Sequence, residues 1–525
     1  MLLIKVFQNR PQIPAIAKNF TTTSLQPVNQ PYYFINSRPE LYEKVQVNAM
    51  QMRIGGRDIP AAGRDTIEVR NPATGDLIDT IPAGDSRDVD YAVGAAIDAF
   101  PSWSEKTRRE RGMILFKAAA LVRERQDSLA RLLTTEQGKP IREATDEVRG
   151  FAHVLEYYAG ISAVQDGEAI RLGGAGDCIV VREPLGICAA IIPWNMPVLI
   201  TAWKTGPALL AGNSLILKPS STAPLAVLRL AEIMEAAGLP PGVLNIVTGR
   251  GEETGAAIAS HREIRKVSFT GSTETGEEIR RAAAGHPKEI VLEMGGSDPM
   301  IVMDDANLAA AAEGAIRGRF YNAGQICTAV KRLYVHERVA DEFTKLLREK
   351  IDSLRVGNGL ATKIDMGPLN SPVQRDRISA VIENLRETGN GTIVTGGSRI
   401  TGKAFESGCF YRPTLVTYVQ PESELVTGEV FGPVLPVMTI PDLDTAIREA
   451  NSTKYHLGAS VWTRDSGTIR EIFSRVDAGV VWVNRHLTIP PEIPFGGNGD
   501  SGIGRENGSR ALEGYTKTKT LFIGK

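Results

Sequence analysis

Four segments of the chain hold residue types able to do chemistry. Cys327 lies in Asn322-Ala323-Gly324-Gln325-Ile326-Cys327-Thr328, where a small Gly-Gln stretch lets backbone and sulfur approach a ligand closely. A thiolate nucleophile needs a neighbour that lowers its pKa or takes its proton. A lone Cys in an apolar stretch is otherwise a small buried hydrophobe. Glu293, in Leu292-Glu293-Met294-Gly295-Gly296, ends a β-type run and so falls at the carboxyl edge of a parallel sheet. There it can serve as a general base, or as a solvated loop acid or helix-cap partner. Asn195, in Pro193-Trp194-Asn195-Met196-Pro197, directly follows the apolar strand 187–192. Its amide can donate to an oxyanion while the prolines stiffen the backbone, or it can simply sit in a Pro-bounded turn. Lastly, Gly271-Ser272-Thr273-Glu274-Thr275-Gly276 follows the strand 266–269 and opens a helix, whose free N–H groups suit a pyrophosphate. It is not a P-loop, because Glu277-Glu278 stand where Lys-Ser/Thr belong; the run from Gly249 to Gly255 also misses the GxGxxG fingerprint by one residue.

The elements that position these residues alternate. Short strands are expected at 52–59 and 66–69, long helices at 87–99, 108–137 and 141–162, and a strand at 178–182. From 187 onward, strands at 187–192, 214–217, 243–247, 266–269 and 289–292 alternate with helices at 225–237, 252–260 and 272–284. Units of that length imply a parallel sheet with helices on both faces. A second alternating series from 299 to 484 predicts another α/β domain.

The chain has 525 residues, room for about three domains at roughly 150 residues each. Lys+Arg number 60 against 61 Asp+Glu, a net charge of −1 that gives no field for nucleic acid. The four Cys (Cys178, Cys188, Cys327, Cys409) form no disulfide framework and no CxxC, and no metal site is expected. No apolar run is long enough to span a membrane, and a cytoplasmic protein is expected. Residues 1–51 are acid-poor and read as a disordered or leader extension, with disorder preferred over a transit peptide.

Taken together and in order, these segments resemble the aldehyde dehydrogenase superfamily over nearly the whole chain, from about 52 to 522. The resemblance also rests on Leu217-Lys218-Pro219-Ser220, Phe269-Thr270-Gly271-Ser272, Glu429-Val430-Phe431-Gly432-Pro433 and Pro494-Phe495-Gly496-Gly497 with Ser501-Gly502. It implies two doubly wound α/β domains, cofactor-binding (52–163 and 185–295) and catalytic (296–500). A small β oligomerisation element (164–184 and 501–525) completes the fold and implies a homodimer or homotetramer. The implied activity is NAD(P)-dependent oxidation of an aldehyde to a free acid in the hydrolytic, non-acylating branch, since CoA-acylating members lack the glutamate at position 293. In that mechanism Cys327 is the nucleophile, Asn195 and the Cys327 N–H hold the oxyanion, and Glu293 activates water. The implied cofactor residues are Ile192, Pro193, Trp194, Lys218, Ser221, Gly251, Gly255, Phe269, Thr270, Gly271, Ser272, Thr275, Met294, Gly295, Glu429 and Phe431. Lys218 would contact the adenosine ribose, Glu429 the nicotinamide ribose and Ser272 the pyrophosphate, a mode outside the usual Rossmann fingerprint.

Departures from the family pattern narrow the reading. NAD-preferring members often carry Glu where this chain has Ser221, which neither chelates the ribose nor repels a 2′-phosphate, so NADP is tolerated. Trp203 and Ile326 replace arginines common in succinate-semialdehyde and non-phosphorylating glyceraldehyde-3-phosphate dehydrogenases, which remain the alternatives. Met196, Trp203, Tyr321 and Ile326 outline an apolar mouth, with Thr328 and Phe495 beside it. Val483-Asn484-Arg485 resembles lactaldehyde and glycolaldehyde dehydrogenases and offers Arg485 or His486 as a polar anchor. The expected substrate is a neutral short or medium aldehyde, lactaldehyde-like first. A redox-free cysteine esterase or thioesterase is the rival from another class.

Overall fold

The computed structural model describes residues 49–164 and 167–524. The expected extension falls almost entirely on residues 1–48, outside those described. Five parallel strands form the centre of an eight-stranded first sheet: β1 (Ile187–Ile191), β2 (Ser214–Lys218), β3 (Leu244–Ile246), β4 (Ile264–Thr270) and β5 (Glu289–Glu293). Their order is β3-β2-β1-β4-β5. Strands β1 and β2 are buried at every residue, β1 apolar throughout and β2 apolar between Ser214 and Lys218, because helices cover both faces. One cover, the helix Pro197–Ala211, is buried almost all round and centres the first domain. The chain travels outward from β1 to β3 and then crosses back to β4. That reversal opens a crevice beyond the carboxyl ends of β1 and β4, the usual ligand position in such sheets.

The second sheet holds β6 (Asp298–Val302), β7 (Val330–His336), β8 (Thr414–Thr417), β9 (Val434–Ile440), β10 (Gly458–Trp462) and β11 (Val480–Val483). These are parallel in the order β8-β9-β7-β6-β10-β11, with Thr392–Thr395 antiparallel on the β8 edge. Only residues 294–297 join β5 to β6, so the first sheet's crevice opens onto the amino ends of the second. A separate antiparallel sheet pairs Asp177–Pro184 with Gly167–Arg171 on one side and Thr516–Ile523 on the other.

Several boundaries differ from expectation for local reasons. Residues 52–59 are a hairpin of Met52–Ile54 and Arg57–Ile59, because Gly55 (φ +60°) and Gly56 (φ +73°) turn the chain. The helix expected over 108–137 divides at Arg125 into Arg108–Glu124 and Gln126–Gln137. The turn Gly251–Gly255 is π-helical before a short helix, Ala256–Ser260. Gly502–Ile503, assigned from sequence to the small element, instead pairs antiparallel with Leu292 and Glu293 at the edge of the first sheet. Among the described residues no helix is long and apolar enough to cross a membrane.

Candidate active site

A cavity of about 590 Å³ occupies the crevice. Pro193, Trp194 and Asn195 reach it from the end of β1, Thr270, Gly271 and Ser272 from the end of β4, and Glu293 and Gly295 from β5. Cys327, Glu429 and Phe431 close it from the second domain. A cavity of about 640 Å³ elsewhere, lined by Tyr334, Tyr418 and Glu449 among others, contains none of the residues singled out above.

The loop before Cys327 is unusually bent. Asn322 (φ 51°), Ala323 (φ 54°) and Gly324 (φ 76°) are consecutive left-handed residues, which costs free energy at the alanine and requires outside support. The Asn322 N–H donates to Glu143 (2.8 Å), and its side chain donates to the Asn195 carbonyl (2.9 Å). The Asn195 amide donates back to the Gln325 carbonyl at 3.0 Å. Lys331 donates to the Ile326 and Cys327 carbonyls (3.1 and 2.6 Å). Cys327 itself is half-buried. Burial and the facing Glu293 push its thiol well above the ordinary range, with Lys331 opposing them, so the resting sulfur is protonated.

Glu293 is 1% exposed. Neither of its carboxylate oxygens has a hydrogen-bond partner of the conventional N/O kind. Burial raises its pKa to about 8, against opposing contributions from Lys204 and the Cys327 thiol. Lys204 is paired with Glu506 at 2.6 Å, both buried, and Ser268 also donates to Glu506 (2.8 Å). This pair was not read from the sequence. Its signal was a lysine that is the one charged residue of a largely apolar helix, which must find a buried partner.

The first-domain side of the cavity is crowded by design of its glycines. A Cβ on Gly271 would meet the Phe269 ring, one on Gly276 the Met294 sulfur, and one on Gly295 the Glu429 carboxylate. Glu429 accepts from the Gly296 N–H (3.1 Å) and from Lys331 (3.0 Å). Trp194 meets Phe431 edge-on at 5.5 Å. Ser272 caps the helix Thr273–Ala283, its hydroxyl accepting from the Thr275 N–H at 3.2 Å. Lys218 ends β2, buried, with its pKa lowered to about 8 by that burial. Its stem lies against Gly255, while Ile192 N–H donates to its carbonyl (3.0 Å). Ser221 is half-buried three residues on, and Gly251 is exposed. Lys218, Ser221, Gly251 and Gly255 do not line the 590 Å³ cavity.

The model of the aldehyde dehydrogenase family matches residues 59–521. The chain belongs to the aldehyde dehydrogenase family. A putative aldehyde dehydrogenase from Burkholderia cenocepacia is 40% identical, with 90% of this chain and 97% of that one covered at a TM-score of 0.89. An NADP-dependent enzyme of E. coli is 36% identical, with coverage of 91% and 98% and a TM-score of 0.88. Betaine aldehyde dehydrogenase from Staphylococcus aureus, solved with NAD+, is 34% identical over 91% of this chain and 95% of that one, TM-score 0.88.

None of the residues read as a substrate mouth in this aldehyde dehydrogenase lines the cavity. Trp203 packs on Phe495 at 5.2 Å, both buried. Met196 places its sulfur 3.3 Å from the Lys139 ammonium, and the Tyr321 hydroxyl donates to the Glu143 carbonyl at 3.4 Å. Ile326 and Thr328 are buried, and Arg485 is exposed. His486 differs from its expected role as an anchor. Its ring nitrogens engage Ser460 (2.9 Å) and the Thr328 carbonyl (2.8 Å), and burial lowers its pKa to about 4. It is a neutral support for the backbone next to Cys327.

Proposed function

We propose that this chain oxidises a neutral short or medium aldehyde to the carboxylic acid with NAD or NADP, by covalent catalysis at Cys327. The observation that carries the reading is the Cys327 thiol facing a buried Glu293 carboxyl without conventional partners, at the crevice of a doubly wound sheet. The crevice residues fit a dinucleotide. Gly271 and Gly295 let the Phe269 ring and the Glu429 carboxylate pack directly on the backbone at the cavity wall, and the Thr270 hydroxyl, buried and unpartnered, lines the cavity. The helix capped by Ser272 would hold the pyrophosphate, Lys218 the adenosine ribose and Glu429 the nicotinamide ribose. Ser221 brings no charge against a 2′-phosphate.

As carboxylate, Glu293 accepts the thiol proton while sulfur bonds to the aldehyde carbon and the C=O π pair moves to oxygen. One Asn195 amide hydrogen is engaged by Gln325. The other, with the Cys327 N–H, is available to the oxyanion. The bound dinucleotide supplies the hydride acceptor for the oxidation. Glu293 then gives the thiol proton up to solvent and, again as carboxylate, takes a proton from water as it adds to the thioester; the C–S bond breaks, freeing the acid and returning the sulfur as thiolate, which regains a proton. The buried Lys204–Glu506 pair sets the field in which Glu293 titrates.

No arginine stands at 203 or 326 to meet a carboxylate or phosphate, which favours uncharged substrates, lactaldehyde-like first. The small antiparallel sheet favours a homodimer or homotetramer, because Ile179, Val181 and Leu521 share one face and stay exposed. A matrix of neutral, carboxylated and phosphorylated aldehydes against NAD and NADP tests the reading through kcat/KM. Neutral aldehydes should lead. Preference for a carboxylated or phosphorylated aldehyde overturns the substrate class, and ester turnover with no nicotinamide reduction under any condition selects a redox-free thiol hydrolase.

A further inference from the structure

We infer that a buried ion pair from outside the catalytic set, Lys139 with Glu147, aims the oxyanion donor Asn195. The inference rests on the proposed role of Asn195. The linker Gly138-Lys139-Pro140 joins the helices Gln126–Gln137 and Ile141–Gly160, and Glu147 stands in the second of these. Both side chains have 0% exposure and are bonded to each other. Glu147 spends its other oxygen on the helix that follows Asn195, accepting from the Val198 N–H (2.8 Å) and the Leu199 N–H (3.1 Å). These are first-turn donors with no partner in their own helix, so Glu147 caps the helix Pro197–Ala211 from a neighbouring helix. Lys139 donates to the Asn195 carbonyl at 2.7 Å and touches the Met196 sulfur at 3.3 Å.

The consequence is geometric. The Asn195 carbonyl receives two donors, Lys139 from the first domain and Asn322 (2.9 Å) from the nucleophile loop. The same helix that carries Glu147 carries Glu143 one turn earlier, and Glu143 holds the Asn322 N–H at 2.8 Å. One helix face therefore fixes both the oxyanion donor and the loop that bears the nucleophile. Two buried charges are a costly way to hold a turn. A point anchor of that strength suits a donor whose position relative to the sulfur must not drift, since an oxyanion donor acts only within a few tenths of an ångström.

The double substitution Lys139→Met with Glu147→Gln tests this. It removes both charges together and leaves a glutamine oxygen to cap Val198 and Leu199. The expected result is a per-site burst rate constant, kcat and kcat/KM all lower by about ten- to a hundredfold, as for loss of transition-state stabilisation alone. Burst amplitude, cofactor Kd and the pH midpoint set by Glu293 should match the parent. A smaller amplitude with an unchanged per-site rate means that the pair only supports folding and overturns the inference, as does a burst rate within about twofold of the parent. Should the double variant not fold, Lys139→Gln is the substitute, which removes the ammonium that joins Glu147 to the Asn195 carbonyl; the same loss is required of it. Absence of a burst in the parent enzyme, by contrast, defeats the proposed mechanism and leaves the pair's contacts as they are.

Discussion

Replacing Glu293 by Gln removes the base while keeping its shape. The structure places the Glu293 carboxyl where burial moves its pKa from the ordinary 4.5 to about 8. At about 1.4 kcal/mol per pH unit this is about 5 kcal/mol against the ionised form. Roughly a tenth of the enzyme then holds the carboxylate at about pH 7, and roughly nine-tenths at about pH 9. Where thioester hydrolysis limits turnover, kcat should therefore rise about tenfold across that interval, with a midpoint near 8. In the Gln variant a thiol can still lose its proton to solvent, which water cannot do at a useful rate. Stopped-flow NAD(P)H absorbance should show a burst near one per site followed by a steady phase slower by about 10²–10⁴-fold. The stability signature has the opposite direction. The folded chain keeps a proton that the unfolded chain loses above about pH 4.5, so Glu293's contribution is intact below that pH and lost as pH rises through about 8. The Gln variant should thus melt above the parent at about pH 9 and alongside it at about pH 4.5. A flat kcat profile in the parent, or a variant that keeps the midpoint near 8, refutes the assignment of Glu293 as base.

A methyl group at Gly295 would overlap the Glu429 carboxylate. Gly295→Ala should weaken cofactor binding by about tenfold or more, near 1.4 kcal/mol, in fluorescence titration with NAD(P)H; unchanged affinity contradicts the role given to Glu429. Ile179 and Val181 point to one exposed face of the small antiparallel sheet. Ile179→Asp with Val181→Asp should shift the mass found by light scattering to a smaller species, and an unchanged mass removes that face as the interface.

Much of the fold was legible because its strands are buried on both faces. Strands β1, β2, β4 and β5 recur at βαβ spacing, β1 and the middles of β2 and β5 as apolar runs, and that spacing put Glu293 at a carboxyl edge and Asn195 just beyond β1. Segments whose fate hangs on one or two residues were not legible. Gly55-Gly56 converts a strand into a hairpin, and Arg125 divides a periodic helix whose two halves each continue the apolar pattern. The supports of the site were hidden for another reason. Glu143 and Glu147 are spaced as on any solvated helix face, yet both are buried because the loop before Cys327 and the helix Pro197–Ala211 supply N–H donors to them. Nothing in the local pattern distinguishes such an acid from a surface one. His486 shows the converse, a residue placed beside the site whose two ring contacts were invisible until Thr328 and Ser460 met it in space.

Whether Cys327 carries the acyl group is read from intact and peptide mass spectrometry of acid-quenched Glu293→Gln enzyme. With aldehyde and cofactor, the peptide containing Cys327 should gain the mass of the aldehyde less two hydrogens, and Cys327→Ser should gain nothing. An adduct at Cys178, Cys188 or Cys409, or turnover to acid with Cys327 never modified, would contradict the account.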